Sequence, residues 1–236
     1  MLAAVTTDPP RRSGSNACPH QECRRRLLDE IADEVRKTCE YLGTDTLDPR
    51  VMSALAAVPR HEFVPAGSRH LAYENSPLPI GHGQTISQPY IVAAMTQLLA
   101  FGPDDAILEI GTGCGYQTAV IAELARKVYS IEYVPELARE AAERLTRLGY
   151  GNIVLRIGDG WFGWPEAAPF DGIIVTAAAA RIPVTLVAQL KPGRRMVLPI
   201  GGPREEQVLS VIEGGQCGPV VARPILPVAF VPLKGG

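Results

Sequence analysis

A chain of 236 residues, 46% hydrophobic and 20% charged, is long enough for one sizeable core and suits a single α/β domain. A formal net charge of −2 leaves no footprint for a polyanionic partner, so nucleic acid is not expected. No apolar run approaches the ~20 residues that a membrane helix needs, so no membrane span is expected.

The opening stretch MLAAVTTDPPRRSGSNACPH has no continuous apolar core of the secretory kind, and residues 1–26 read as a flexible extension. Five cysteines, at 18, 23, 39, 114 and 217, outline no disulfide framework and fit a reducing cytoplasm. Cys18, His20 and Cys23 are metal-ligating types, but no second cluster accompanies them and no metal is expected.

LLDEIADEVRKTCEYL (27–42) places Leu27, Ile31, Val35, Cys39 and Leu42 on one helical stripe, with Gly43 to end it. DPRVMSALAAVP follows, with Asp48 as N-cap, Pro49 at the first helical position and Pro59 beyond the end. These two helices form an N-terminal cap. Next, PIGHGQTISQPYIVAAMTQLL (79–99) runs as a loop through Gly81, Gly83, Thr85 and Ser87 into a helix opened by Pro89. Its one conventional acid–base group, His82, has no visible partner and reads as solvent-facing.

From residue 104 strands and helices alternate. AILEI (106–110), KVYSI (127–131), NIVLRI (152–157), FDGIIV (170–175) and RMVLPI (195–200) read as strands. Helices are expected through TAVIAELA, over Pro135–Leu148, and from Pro183 through Leu190. The pattern predicts a Rossmann-like, doubly wound, mostly parallel sheet with helices on both faces. After it, QVLSVI and VVARPIL read as a hairpin around EGGQCG, and VAFVPL (228–233) as a last strand, giving antiparallel strands at the C-terminus. Residues 27–236 are thus expected to form one domain, helices and loop over 27–103 and sheet over 104–236.

ILEIGTGCGY (107–116) puts Gly111, Gly113 and Gly115 between a buried strand and a helix, where a ligand can approach backbone closely. A dinucleotide turn would carry a glycine where this chain has Tyr116. Glu132 ends the second strand twenty-one residues after the first glycine, a position from which a carboxylate accepts from ribose hydroxyls. Asp159, in GDG after the third strand, stands where an adenine edge would lie, and Glu109 lies inside the first strand. Acids, with no lysine or arginine inside the turn, favour a cationic nucleoside cofactor over a pyrophosphate. Trp161 and Trp164 suit either an adenine or the sheet edge, and Tyr116 and Gln117 are placed to meet the far end of such a ligand.

These segments, with GDGWFGW, APFDGIIVTAAAARIP and QLKPGRRMVLPIG, resemble the protein-L-isoaspartate O-methyltransferase family of class I S-adenosylmethionine-dependent methyltransferases. TISQP beside the glycine turn is the family-specific part. Cys114 stands where the family usually has serine, and Arg194 replaces the second glycine of its KPGG turn. The resemblance implies S-adenosyl-L-methionine as cofactor, against Glu109, Gly111, Thr112, Gly113 and Gly115, then Glu132, Asp159 and Gly160. It implies damaged, isoaspartyl proteins and peptides as partners.

Ser87 matches the family's active-site serine, with Thr85 beside it. From residue types alone, Ser87 serves equally as a helix cap. Substrate contacts are expected from Ile86, Gln88, Pro89 and Tyr90, and from Phe230 and Val231, with an extended peptide adding as a strand to the loop and to VAFVPL. Competing readings are a class I methyltransferase acting on another carboxylate, a cofactor-binding module without catalysis, and a nicotinamide oxidoreductase.

Overall fold

A computed structural model describes residues 19–202, 205–214 and 221–235. Helix α1 (Pro19–Lys37) starts eight residues before the expected Leu27. Its first turns are held by polar and ring contacts that apolar periodicity does not reveal. Arg24 donates to the Ala56 carbonyl and the Tyr73 hydroxyl, and His20 stacks on His61 with ring centroids 4.1 Å apart. The part of the expected extension before residue 19, Cys18 included, lies outside the described residues.

The short α2 (Cys39–Leu42) ends at Gly43 in the left-handed region. Helix α3 (Pro49–Ala57) is capped as expected, the Asp48 carboxylate accepting from the Arg50 amide at 2.8 Å. Where a loop was expected, β1 (Leu78–Gly81) and β2 (Gln84–Ile86) pair antiparallel. His82 sits exposed at the hairpin tip with φ +53°. Helix α4 (Pro89–Leu99) is then buried almost throughout.

Strand β3 (Ala106–Ile110) leads through the glycine turn into α5 (Tyr116–Ala122), and β4 (Lys127–Glu132) into α6 (Pro135–Arg147). They are followed by β5 (Ile153–Ile157), β6 (Phe170–Val175) and a short α7 (Val184–Val187). Strand β7 (Leu190–Ile200) begins where the helix was expected still to run, and β8 (Gln207–Gly214) and β9 (Val221–Val228) complete the sheet. The order is β5-β4-β3-β6-β7-β8-β9, parallel through β7 and antiparallel for the last two strands. The tip of the β8–β9 hairpin, from residue 215, lies outside the described residues.

VAFVPL does not continue as a strand beyond Val228. Pro227 and Pro232 lack amide donors, and the segment makes only an isolated bridge, Ala178 to Pro232. The Phe230 backbone pairs with the Gln207 side chain on one side, while Val231 and Leu233 bond to Ala178 on the other.

Candidate active site

The chain runs outward from β3 to β5 and returns to β6 on the other side of β3. A crevice opens at that reversal, beyond the carboxyl ends of the strands. The glycine turn is pinned there from both neighbours. The Gly111 amide donates to the Ile131 carbonyl at 2.8 Å, and the Thr176 hydroxyl donates to the Gly111 carbonyl at 2.6 Å. Gly111 has φ +95°, and a Cβ on it would lie 2.5 Å from Thr176 Oγ1, so only glycine fits. The cleft holds about 770 Å³ of empty space, part of it open to solvent.

Gly111, Thr112, Gly113, Glu132 and Gly160 all line it, as expected. Gly115 instead opens α5 with φ +89° and packs against Leu145 and Ala141 of α6. The three acids separate. Glu132 stays on the wall, its carboxylate accepting from the Gly113 amide at 2.7 Å and the Val134 amide at 2.9 Å.

Asp159 caps the following turn by accepting from the Trp161 amide at 2.9 Å, and Gly235 lies against it. Glu109 is fully buried and off the wall, with Oε2 accepting from Thr118 at 2.5 Å and Ser130 at 2.6 Å. Burial pushes its carboxyl up to about 8, the two hydroxyls acting against that and the Glu132 charge adding to it. Strand β3 is covered on both faces, so a glutamate within it meets α5 and β4 rather than ligand. The cleft is therefore less acidic than three strand-end acids imply, and Lys234 stands exposed at its rim.

The two tryptophans take the sheet-edge role. Trp164 meets Tyr129 edge-on and lies under the Arg156 guanidinium, and Trp161 lies beside Arg181. Tyr116 and Gln117 do line the cleft, Gln117 donating to Thr96 Oγ1 at 2.9 Å.

Thr85, Ile86 and Ser87 also line the cleft. The cap of α4 is Gln88, with no side-chain cap bond, so the Ser87 hydroxyl is not used as a helix cap. A second groove, of about 960 Å³ including open solvent, adjoins the cleft and includes Gln88, Phe230 and Val231. Thr85, Ser87, Thr176 and Val231 line both spaces.

Pro89 and Tyr90 fall outside both. Pro89 is the first helical residue, while the Tyr90 hydroxyl meets Thr38 at 2.7 Å and its amide meets Asn75 at 3.0 Å. In VAFVPL the Phe230 amide and carbonyl, the Val231 carbonyl and the Leu233 amide are already paired with Gln207 and Ala178, which leaves fewer backbone groups for an added peptide strand. Thr176, Tyr133 and Lys234 were not anticipated. Thr176 and Tyr133 follow strands directly, a signal in the sequence; Lys234 carries none.

A glycine turn at the switch point of a parallel sheet, with a carboxylate at the end of the next strand lining the same cleft, places the chain among the α/β enzymes of the methyltransferase class. A family profile described as Protein-L-isoaspartate(D-aspartate) O-methyltransferase matches residues 37–236, and the chain belongs to that family. Its cofactor is S-adenosylmethionine.

Protein-L-isoaspartate O-methyltransferase 2 of Syntrophobacter fumaroxidans is 58% identical over 218 residues, covering 92% of this chain and 88% of that one. The Opitutus terrae protein-L-isoaspartate O-methyltransferase is 51% identical, covering 93% and 92%. A solved protein-L-isoaspartate O-methyltransferase superposes with TM-score 0.78 at 27% identity, over 90% of this chain and 66% of that one, so this chain spans about two thirds of its length. A putative enzyme of the same name from Plasmodium falciparum, in complex with S-adenosyl-L-homocysteine, shares the fold with TM-score 0.74 at 24% identity, over 89% and 98%.

Proposed function

We propose that this chain methylates the free α-carboxylate of L-isoaspartyl residues in damaged proteins and peptides, with Ser87 facing the acceptor. The observation that carries the assignment of residues is the seam. Ser87, Thr85, Thr176 and Val231 border both the cofactor cleft and the adjoining groove, where two reactants would meet. The residues present fit the cofactor: Glu132 suits the ribose, the Gly111–Gly113 backbone permits close approach, and the turn carries no lysine or arginine. The chemistry that S-adenosylmethionine supplies there is an electrophilic methyl group on a sulfonium.

The remaining work falls to the chain's own side chains. An α-carboxylate titrates near pH 3.5 and is already anionic in the cell, so the acceptor needs no base. In accord with that, no histidine lines the cleft among the described residues. The Ser87 and Thr85 hydroxyls make no hydrogen bond within the described protein, leaving them free to donate to one acceptor oxygen while the other points at the methyl group. Alignment of this kind contributes up to roughly 7–11 kcal/mol. Pro77, Ile91, Val228 and Phe230 give the groove apolar walls suited to a peptide of varied sequence. The free thiols of Cys23, Cys39 and Cys114 support a cytoplasmic setting.

Transfer of labelled methyl to an isoaspartyl peptide, with its aspartyl twin as control, tests the function; equal labelling of both peptides would refute it. Ser87→Ala is expected to lower kcat about 100- to 1000-fold with unchanged cofactor affinity, and full turnover by this variant removes Ser87 from the chemistry.

A further inference from the structure

Arg60 opens a short 3-10 turn, Arg60–Glu62, and has no exposed surface at all. Its guanidinium lies where the two halves of the site come together. Nη2 donates to the Ser87 carbonyl at 2.9 Å and to the Ser76 carbonyl at 3.3 Å. The plane sits over the Tyr116 ring, 4.8 Å from its centroid. Nε and Nη1 are buried with no hydrogen-bond partner among the described residues.

A buried cation with donors left over is costly, and an apolar side chain of similar volume would fill the space without that cost. The ring face and two carbonyls offset part of it. What an apolar residue lacks is a rigid planar fork that engages two elements at once. Nη2 fixes the carbonyl of Ser87. The guanidinium plane as a whole lies over Tyr116, which directly follows the glycine turn and lines the cofactor cleft.

We propose that Arg60 is a positioning residue that sets the separation and orientation of Ser87 relative to the glycine turn. The proposal rests on the reading that Ser87 meets the acceptor. In-line transfer is sensitive to such placement, since a misplacement of about 1 Å is able to cost on the order of 100-fold in rate.

Two substitutions test it: R60K keeps the charge and loses the fork, and R60M loses both. Each protein is examined by thermal unfolding, by calorimetric titration with S-adenosylmethionine, and by kcat and KM on an isoaspartyl peptide, per cofactor-binding site. The expected result is cofactor Kd and peptide KM within about threefold of the parent, with kcat lowered about 30- to 100-fold. Per-site turnover within about twofold of the parent in a folded variant assigns Arg60 to packing alone and overturns the proposal. So does failure of both variants to fold; if one folds, it decides. Should S87A turn over normally, the reading of Ser87 fails whatever Arg60 does. If S87A is impaired while R60K is not, this proposal alone fails.

Discussion

Glu109 occupies a strand whose two faces are both covered, and its carboxyl has exchanged water for the hydroxyls of Thr118 and Ser130. Its Oε1 has no hydrogen-bond partner among the described residues. Burial raises the group from an ordinary 4.5 to about 8, so the folded protein holds a proton there that the unfolded chain releases. For a raised pKa the associated stability is complete below 4.5 and is lost as pH rises towards about 8. Glu109→Gln removes this dependence.

Relative to the variant, the parent should lose up to about 1.4 kcal/mol per pH unit between about pH 5 and 8. Denaturant titrations at three pH values measure the difference; parallel slopes would show that the carboxyl is ionised in the folded protein. Sequence places Glu109 at the right strand but not on the right side of it. The period of a parallel strand buried on both faces carries no polar face to read, whereas Glu132, as a strand's last residue, reaches the cleft as its position suggests.

At the scale of elements, the strand–turn–helix unit β3–α5 depends on Gly111 more than on Gly113. Alanine at 111 combines φ +95° with a Cβ 2.5 Å from Thr176 Oγ1, whereas at 113 φ is +55° and the nearest contact, Ile80, is 3.5 Å away. Gly111→Ala should cost about 1–3 kcal/mol and weaken cofactor binding, because Thr176 must release the turn. Gly113→Ala should cost about 1 kcal/mol. Thermal unfolding of the pair ranks them, and equal midpoints would mean that Thr176 does not constrain the turn.

The glycine spacing made this element readable, as alternation did for the five parallel strands. In the terminal VAFVPL the β-branched and aromatic residues suggest a strand, while Pro227 before it, Pro232 within it and the Gln207 and Ala178 partners decide otherwise. The β1–β2 hairpin escaped notice for a similar reason. Its strands are four and three residues long, too short for alternation to register. Arg60 lies in PRHE with nothing around it to announce a buried cation, since the residues that contact its guanidinium, Ser76, Ser87 and Tyr116, lie further along the chain.

Across the whole molecule, the cleft and the means of securing the sheet lie at opposite ends of the strands. At the starting ends of β3, β6 and β7, the Asp171 carboxylate accepts from Lys191 at 2.8 Å, Arg194 at 3.3 Å and the Ala106 amide at 3.1 Å. Arg194 also reaches Asp105 at 2.8 Å. The arginine in place of a glycine after Lys191-Pro192-Gly193 thereby joins three strands, next to a register shift between Phe170 and Gly172. Burial raises the Asp171 carboxyl, but Lys191, the Ala106 amide and Arg194 together outweigh it and hold the group below its ordinary 3.8.

For a lowered pKa the sign reverses: the contribution is complete above 3.8 and disappears as pH falls through the folded value. Asp171→Asn should therefore destabilise by about 1–2 kcal/mol at neutral pH, a figure reduced because both basic partners are partly exposed. The gap should hold constant from about pH 5 to 8 and close below about pH 4. Since the clamp is at the far end of β6 from Thr176, kcat on an isoaspartyl peptide should stay at the parent's value at temperatures where the variant is folded. A loss of turnover without loss of stability would mean that the far end of the sheet sets the geometry of the cleft, and that the two ends are not separable in this protein.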